Sequence, residues 1–239
     1  MDTALQPWAV IATVNQRFAG KAIARGIVLW FAAALAVSAS GLFFYATPQI
    51  VAATVWTLTG TSLILIWRVE SIRRVVFAAD LRWLIAVHLV RFAGIEFIAI
   101  YLDDRFPFSF GLLGGVGDTL VALGAVCMLA VARPPVSGWR RHVVFWWNVA
   151  GLADITAVVF AALREGLYNS ELMAPLRQFP LSLLPTFFVP ILIVSHVAIA
   201  VRVWITSELP TLPAEVADGV GRRTITAPKS GPNFFGDAL

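Results

Sequence analysis

One stretch limits what this chain can fold into. Residues 83–104, WLIAVHLVRFAGIEFIAIYLDD, are long and apolar enough to cross a bilayer, yet they carry His88, Arg91 and Glu96. Ionisable groups at that depth are costly, so they turn towards neighbouring helices or a water-filled cavity. The stretch therefore predicts a helix bundle built to house them. Composition agrees: 59% of the 239 residues are hydrophobic and 13% are charged, with mean hydropathy +0.81. A soluble domain carries about a quarter charged residues. The basic residues, which bring the pI to 9.8, stand in short clusters between apolar runs. That is a pattern of membrane topology, so the expected partner is the lipid bilayer and not nucleic acid. The single cysteine, Cys127, excludes an internal disulfide and a Cys-x-x-Cys pair, and is read as a small packing residue inside a span.

Taken in order, the chain reads as an all-α transmembrane bundle of six spans. A segment 1–25, ending on Arg17, Lys21 and Arg25, precedes the first span at 26–47. Its basic residues, apolar run and Ser38-Ala39-Ser40 imitate a cleaved signal, but apolar character continues through Phe43, Phe44 and Tyr45 and favours an uncleaved span. The second span, 50–67, is rich in Thr and Ser, whose hydroxyls should bond back to their own helix or to a neighbour. The third is 83–102. The fourth, 109–132, places Gly111, Gly115, Asp118, Ala122 and Ala125 at steps of four and three, a small-residue stripe along one face that lets another helix come close. The fifth, 143–163, carries Asn148, Gly151 and Asp154 at steps of three, with Asn148 read as an interhelical hydrogen bond.

The sixth span, 180–205, holds Pro180, Pro185 and Pro190. A proline inside a helix removes one amide donor and clashes with the carbonyl four residues back. Pro185 should free the carbonyl of Leu181 and Pro190 that of Thr186, giving a kink or break, with His196 beyond it. Residues 206–239 have four prolines and no apolar period, as expected of a disordered tail. Lys and Arg number 14 in one set of connecting segments and 3 in the other, which predicts both termini in the cytoplasm and a bacterial inner-membrane location. Trp30, Trp67, Trp83, Trp139, Trp146, Trp147 and Trp204 fall towards that same side, where indoles favour the headgroup level.

Depth follows from about 1.5 Å of rise per residue. His88, Arg91 and Glu96 lie about 8, 12 and 20 Å from the cytoplasmic end of the third span, and span about 140° of its circumference. Asp118, Asp154 and His196 lie about 13–16 Å into their own spans. Arg91, Glu96, Asp118, Asp154 and His196 thus share a central layer. One arginine cannot neutralise three carboxylates. Arg91 should hold Asp118 or Asp154, and a buried carboxylate without a counter-ion favours its neutral form and can exchange a proton. The same residues would equally serve as ties between helices.

Two sharper readings use the same residues. Gly115-Val116-Gly117-Asp118 matches the Gly-x-Gly-Asp signature of intramembrane aspartyl proteases, with Asp154 as the second carboxylate. In that family, however, the partner aspartate comes first, within a Tyr-Asp pair, and a Pro-Ala-Leu element follows; this chain has neither. His88 and His196, about 6 Å apart in depth, would be the ligands of a haem or transition metal if there were one, though no cofactor is expected. Over residues 83–205 the chain resembles a group of functionally unassigned bacterial integral membrane proteins. The likeness rests on His88-x-x-Arg91 followed by Glu96, on Gly117-Asp118, on Trp147-Asn148-x-x-Gly151-x-x-Asp154, and on Leu184-Pro185-Thr186 through Pro190 to His196. It implies six helices and brings no activity. The expected function is proton-linked transport or permeation of a small solute, with a helix break at Pro185 and Pro190. The alternatives are a structural or assembly subunit packed against another membrane complex or a second copy, and an intramembrane enzyme using Asp118 and Asp154.

Overall fold

The protein, seen in a computed structural model, is described over residues 7–132, 136 and 138–208, with side chains described for 20–132, 136 and 138–204. Among the described residues six helices are long and apolar enough to cross a membrane: Gly20–Ala39, Pro48–Arg68, Leu81–Leu102, Ser109–Val131, Trp139–Tyr168 and Leu184–Trp204. Among the described residues there is no strand. Leu29, Ile64, Leu120, Leu123 and Phe160 all stand exposed on the outside of the bundle. Apolar surface on that scale needs lipid against it, and the chain is a multi-pass membrane protein.

Local chemistry explains where the helices stop. Gly41 takes a left-handed backbone, φ +73°, which costs a residue without a Cβ nothing. The first helix, Pro7–Ala39, therefore ends eight residues before the expected 47, and Leu42–Tyr45 forms a 3-10 turn with Phe43 buried. Thr47 caps the next helix by accepting the Ile50 amide, with Pro48 at the first helical position. Asp80 likewise accepts the Arg82 amide at 2.9 Å. The tail expected at 206–239 lies, from residue 209, outside the described residues; Val189–Glu208 is helical.

Three spans depart from α geometry. The third is α over Leu81–Ala86 and Gly94–Leu102 but 3-10 over Val87–Ala93. The fourth opens with a π turn, Ser109–Gly114, and the sixth with a π turn, Leu184–Phe188. The sixth span thus starts at Leu184 rather than 180, and its proline break takes the form of a π turn around Pro185, a common response to a missing amide. Pro190 cannot donate to the Thr186 carbonyl. Instead Trp30 of the first span does so, Nε1 to oxygen at 3.0 Å, while its ring packs edge-on to Phe187 at 5.1 Å. Ser38 and Ser182 hydrogen-bond nearby.

The small-residue stripe faces inward: Gly111, Gly115, Asp118, Ala122 and Ala125 are all buried. A Cβ on Gly94 would stand 2.5 Å from the Gly115 carbonyl, and a Cβ on Gly115 2.5 Å from that of Gly94. The third and fourth spans therefore touch backbone to backbone. Cys127 is on the opposite, exposed face of the fourth span and is not a packing residue. Two apolar layers close the bundle. One gathers Ile85, Met128, Val144 and Ile199; the other gathers Phe97, Phe106, Phe110, Met173 and Leu176. Polar side chains lie between them.

Trp67, Trp83, Trp139, Trp146 and Trp204 are exposed, four of them at or next to span ends on one face. Trp30 and Trp147 depart from that ring. Trp30 sits mid-span because the apolar window runs from Gly20 to Ala39, and Trp147 is turned inward. Replacing the indole gives a direct test of the Trp30 contact. Trp30→Phe should lower stability by about 1 kcal/mol, the cost of an unsatisfied carbonyl. Adding Pro190→Ala, which restores an amide four residues on, should recover most of that loss in unfolding measured in mixed micelles.

Candidate functional site

Arg91 is 2% exposed and uses all three of its nitrogens. Nε donates to Asp118 Oδ1 at 2.6 Å, and Nη2 donates to Asp154 Oδ2. Nη1 donates to the Gly151 carbonyl at 3.0 Å and lies 3.4 Å from His196 Nε2. One side chain on the third span therefore holds the fourth, fifth and sixth. Both carboxylates pair with Arg91, where sequence reasoning assigned it one.

Close packing makes this reach feasible. The contact between Gly94 and Gly115 brings Asp118 up to Arg91. A Cβ on Gly117 would run into Asp154 Oδ1, and one on Gly151 would stand 2.5 Å from His196 Cε1. The two glycines of Gly115-Val116-Gly117-Asp118 thus answer to helix approach. The carboxylates sit on different nitrogens of one guanidinium, an arrangement unlike two aspartates sharing a proton between them.

The histidines form a second layer. His196 Nδ1 lies 2.8 Å from Asn148 Oδ1, and Asn148 Nδ2 donates to the His196 carbonyl at 3.0 Å. The amide oxygen is thereby an acceptor and Nδ1 carries the hydrogen, so the neutral ring turns its Nε2 lone pair to Arg91. The His88 and His196 rings lie against each other, centroids 4.0 Å apart and planes inclined by 38°. Ser195 donates its hydroxyl to the Leu192 carbonyl and lies 2.9 Å from His88 Nε2. That assigns the hydrogen to Nε2 and leaves Nδ1 as a buried nitrogen without a partner. Trp147 packs edge-on to His88 at 5.4 Å and donates to the Val121 carbonyl. Ring centroids 4.0 Å apart leave no room for a haem between the two histidines, and three of the four ring nitrogens are engaged. Among the described residues no group of three or more His, Cys, Asp or Glu stands at metal-binding spacing.

Glu96 does not join the cluster and is exposed. The reason is the 3-10 segment. An unbroken α-helix turns about 140° from Arg91 to Glu96. With residues to Ala93 advancing about 120° each, the turn becomes about 180° and Glu96 points away. The same geometry eclipses residues three apart, so His88 and Arg91 share one face.

A cavity of about 70 Å³ lies against this cluster. Its walls are apolar side chains of the second to sixth spans, among them Val55, Val158 and Leu192. Arg91 and Asp118 line its inner end. Pro185 and Val189 of the broken sixth span also line it, whereas His88, Asp154 and His196 do not. At its other end stand exposed Ser170 and half-buried Arg177. Sequence reasoning missed Ser195, the Gly151 carbonyl and Arg177. The hydroxyl beside His196 is a readable signal for the first; for the carbonyl there is none, and Arg177 stands in a connecting segment where the sequence shows only a charge.

The family model described as a domain of unknown function, DUF8737, matches residues 45–204. The match takes in the second span, which the resemblance over 83–205 left out, and excludes the first. No curated protein and no solved structure matches the chain.

Stability should reveal how the network is weighted. Arg91→Gln strands two carboxylates and should cost about 3–5 kcal/mol. Asp118→Asn leaves Asp154 on the guanidinium and an amide oxygen facing Nε, and should cost no more than about 1–2 kcal/mol. Gly151→Ala should cost about 1–3 kcal/mol through its clash with His196. Unfolding of the three purified variants in one detergent checks the order.

Proposed function

The chain belongs to the DUF8737 family, which brings no activity with it, and from the geometry of its own site we propose that it binds a small apolar or amphiphilic solute and passes it across the membrane in step with a proton. The observation that carries the reading is the cavity floor. Arg91 and Asp118 close a cavity whose side walls are apolar and which reaches the surface at its other end. One guanidinium set against two carboxylates leaves one negative charge in excess, and the network becomes neutral when it takes up one proton. A site whose charge changes by one unit beside a solute cavity is a means of linking the two. The broken start of the sixth span, at Pro185, forms part of the same wall.

The apolar walls favour a solute with an apolar body over a sugar or an inorganic ion, whose hydration nothing there replaces. In the orientation given by the Lys and Arg count, the cavity opens away from the cytoplasm. The paired carboxylates support an acid–base enzyme less well, because Arg91 stands on both.

A second reading has its own support. Arg91 has every nitrogen engaged and joins four spans, which suits a purely structural tie. The two readings part on Asp118→Asn. Proteoliposomes loaded with a pH-sensitive dye should acidify on addition of a transported solute, beyond protein-free vesicles, and folded Asp118→Asn should lose at least tenfold of that rate. Absence of protein-dependent, pH-gradient-dependent uptake across a broad panel of apolar and amphiphilic solutes would sink the transport reading. Collapse of Asp118→Asn on purification would favour the structural one.

A further inference from the structure

The mouth of the cavity is not apolar. Arg177, at the end of the 3-10 turn Ala174–Arg177, lines it beside Ser170. Its Nη1 donates to the Ala46 carbonyl and its Nη2 to the Ser170 carbonyl, each at 3.2 Å. Its Cζ lies 5.6 Å from the centre of the Phe44 ring. These contacts hold the guanidinium in place without cancelling its charge. Among the described residues no carboxylate lies within ion-pair distance of it. The nearby Glu165 is taken by Ser109, Asn169 and Arg164 and does not line the cavity. A guanidinium has five N–H donors, so donors remain at Arg177 for an anion.

The charge therefore changes sign along the cavity. A cation stands at the mouth, an apolar shaft follows, and the floor carries the excess negative charge of Asp118 and Asp154 over Arg91. An anionic head is drawn to the mouth and repelled from the floor, while an apolar chain gains by entering the shaft. One guanidinium balances one negative charge, which suits a carboxylate better than a phosphate monoester bearing up to two. The lining of the fifth span runs from Ile155 to Gly166, about 16 Å along a helix. Spread along that length, a volume of about 70 Å³ is room for only a single file of roughly six water-sized groups. The shaft is one chain wide.

We infer that the solute is a single-chain amphiphile with a carboxylate head, held head-outward at Arg177 with its chain directed towards Arg91 and Asp118; this rests on the cavity being the solute site proposed above. Its transport with one proton moves no net charge, since the carboxylate and the proton balance.

Equilibrium binding to the full chain in nanodiscs of zwitterionic lipid tests the inference without a gradient or flux. The probes are radiolabelled decanoate, acetate and the neutral alcohol decanol. Wild type should bind decanoate at least tenfold more tightly than acetate. Arg177→Gln should weaken decanoate at least tenfold while leaving decanol within twofold, and decanol binding also certifies that the variant is folded. Arg177→Lys, which keeps the charge, should retain most decanoate affinity. Ala52→Leu, which adds bulk to the shaft wall, should weaken decanoate and decanol together. Equal binding of acetate and decanoate, or an Arg177→Gln variant that binds decanoate like wild type, would overturn the inference. So would loss of decanol binding in Arg177→Gln while Ala52→Leu binds both chains normally. Because no proton movement is read, failure here leaves the proton-linked reading to stand or fall on the vesicle experiment; success here with failure there leaves a binding site without transport.

Discussion

A single guanidinium organises the centre of this bundle. Within a membrane there is no water to satisfy Arg91, so every one of its donors must find a partner in the protein. The chain supplies Asp118 from the fourth span, Asp154 and the Gly151 carbonyl from the fifth, and the His196 ring from the sixth. Each of those partners imposes its own condition. Glycines at 94, 115, 117 and 151 keep the backbones close enough, and Asn148 orients the imidazole that faces Arg91. Apolar layers flank the network above and below.

Much of this was legible in the residues. The six spans follow from apolar length alone, and the central depth of Arg91, Asp118, Asp154 and His196 follows from a constant rise per residue. The steps of three in Asn148, Gly151 and Asp154, and the steps of four and three in the fourth span, identified two inward faces. What sequence could not supply was the pitch of the helices. Glu96 was assigned to the cluster because an α-helix was assumed between Arg91 and Glu96, and a 3-10 segment of seven residues carries it to the other side. The end of the first span was misjudged for a related reason. Phe43, Phe44 and Tyr45 read as continued apolar length, while a left-handed glycine had already ended the helix.

The prolines of the sixth span show how a local rule and a tertiary contact combine. Removing an amide at Pro190 necessarily leaves the Thr186 carbonyl in want of a donor, and that much is covalent chemistry. Which donor arrives is a matter of packing: it is an indole from the first span, 156 residues away in the chain. The residue that looked like a headgroup anchor is the one that repairs the break. Three departures from α geometry, in the third, fourth and sixth spans, all adjoin the cavity or its floor. Irregular backbone at membrane depth is tolerated where protein or a cavity, and not lipid, surrounds it.

The two carboxylates on Arg91 do not face the same surroundings. Asp118 lines the cavity with its side chain 8% exposed, whereas Asp154 stands outside the cavity with its side chain 23% exposed, in the groove between the fourth and fifth spans beside Gly117. The guanidinium is thus a partition wall with an acid group on each side of it. Under the proposed function, a proton and a solute then need not travel by one corridor. The solute would meet Asp118, and a proton entering by the groove would meet Asp154.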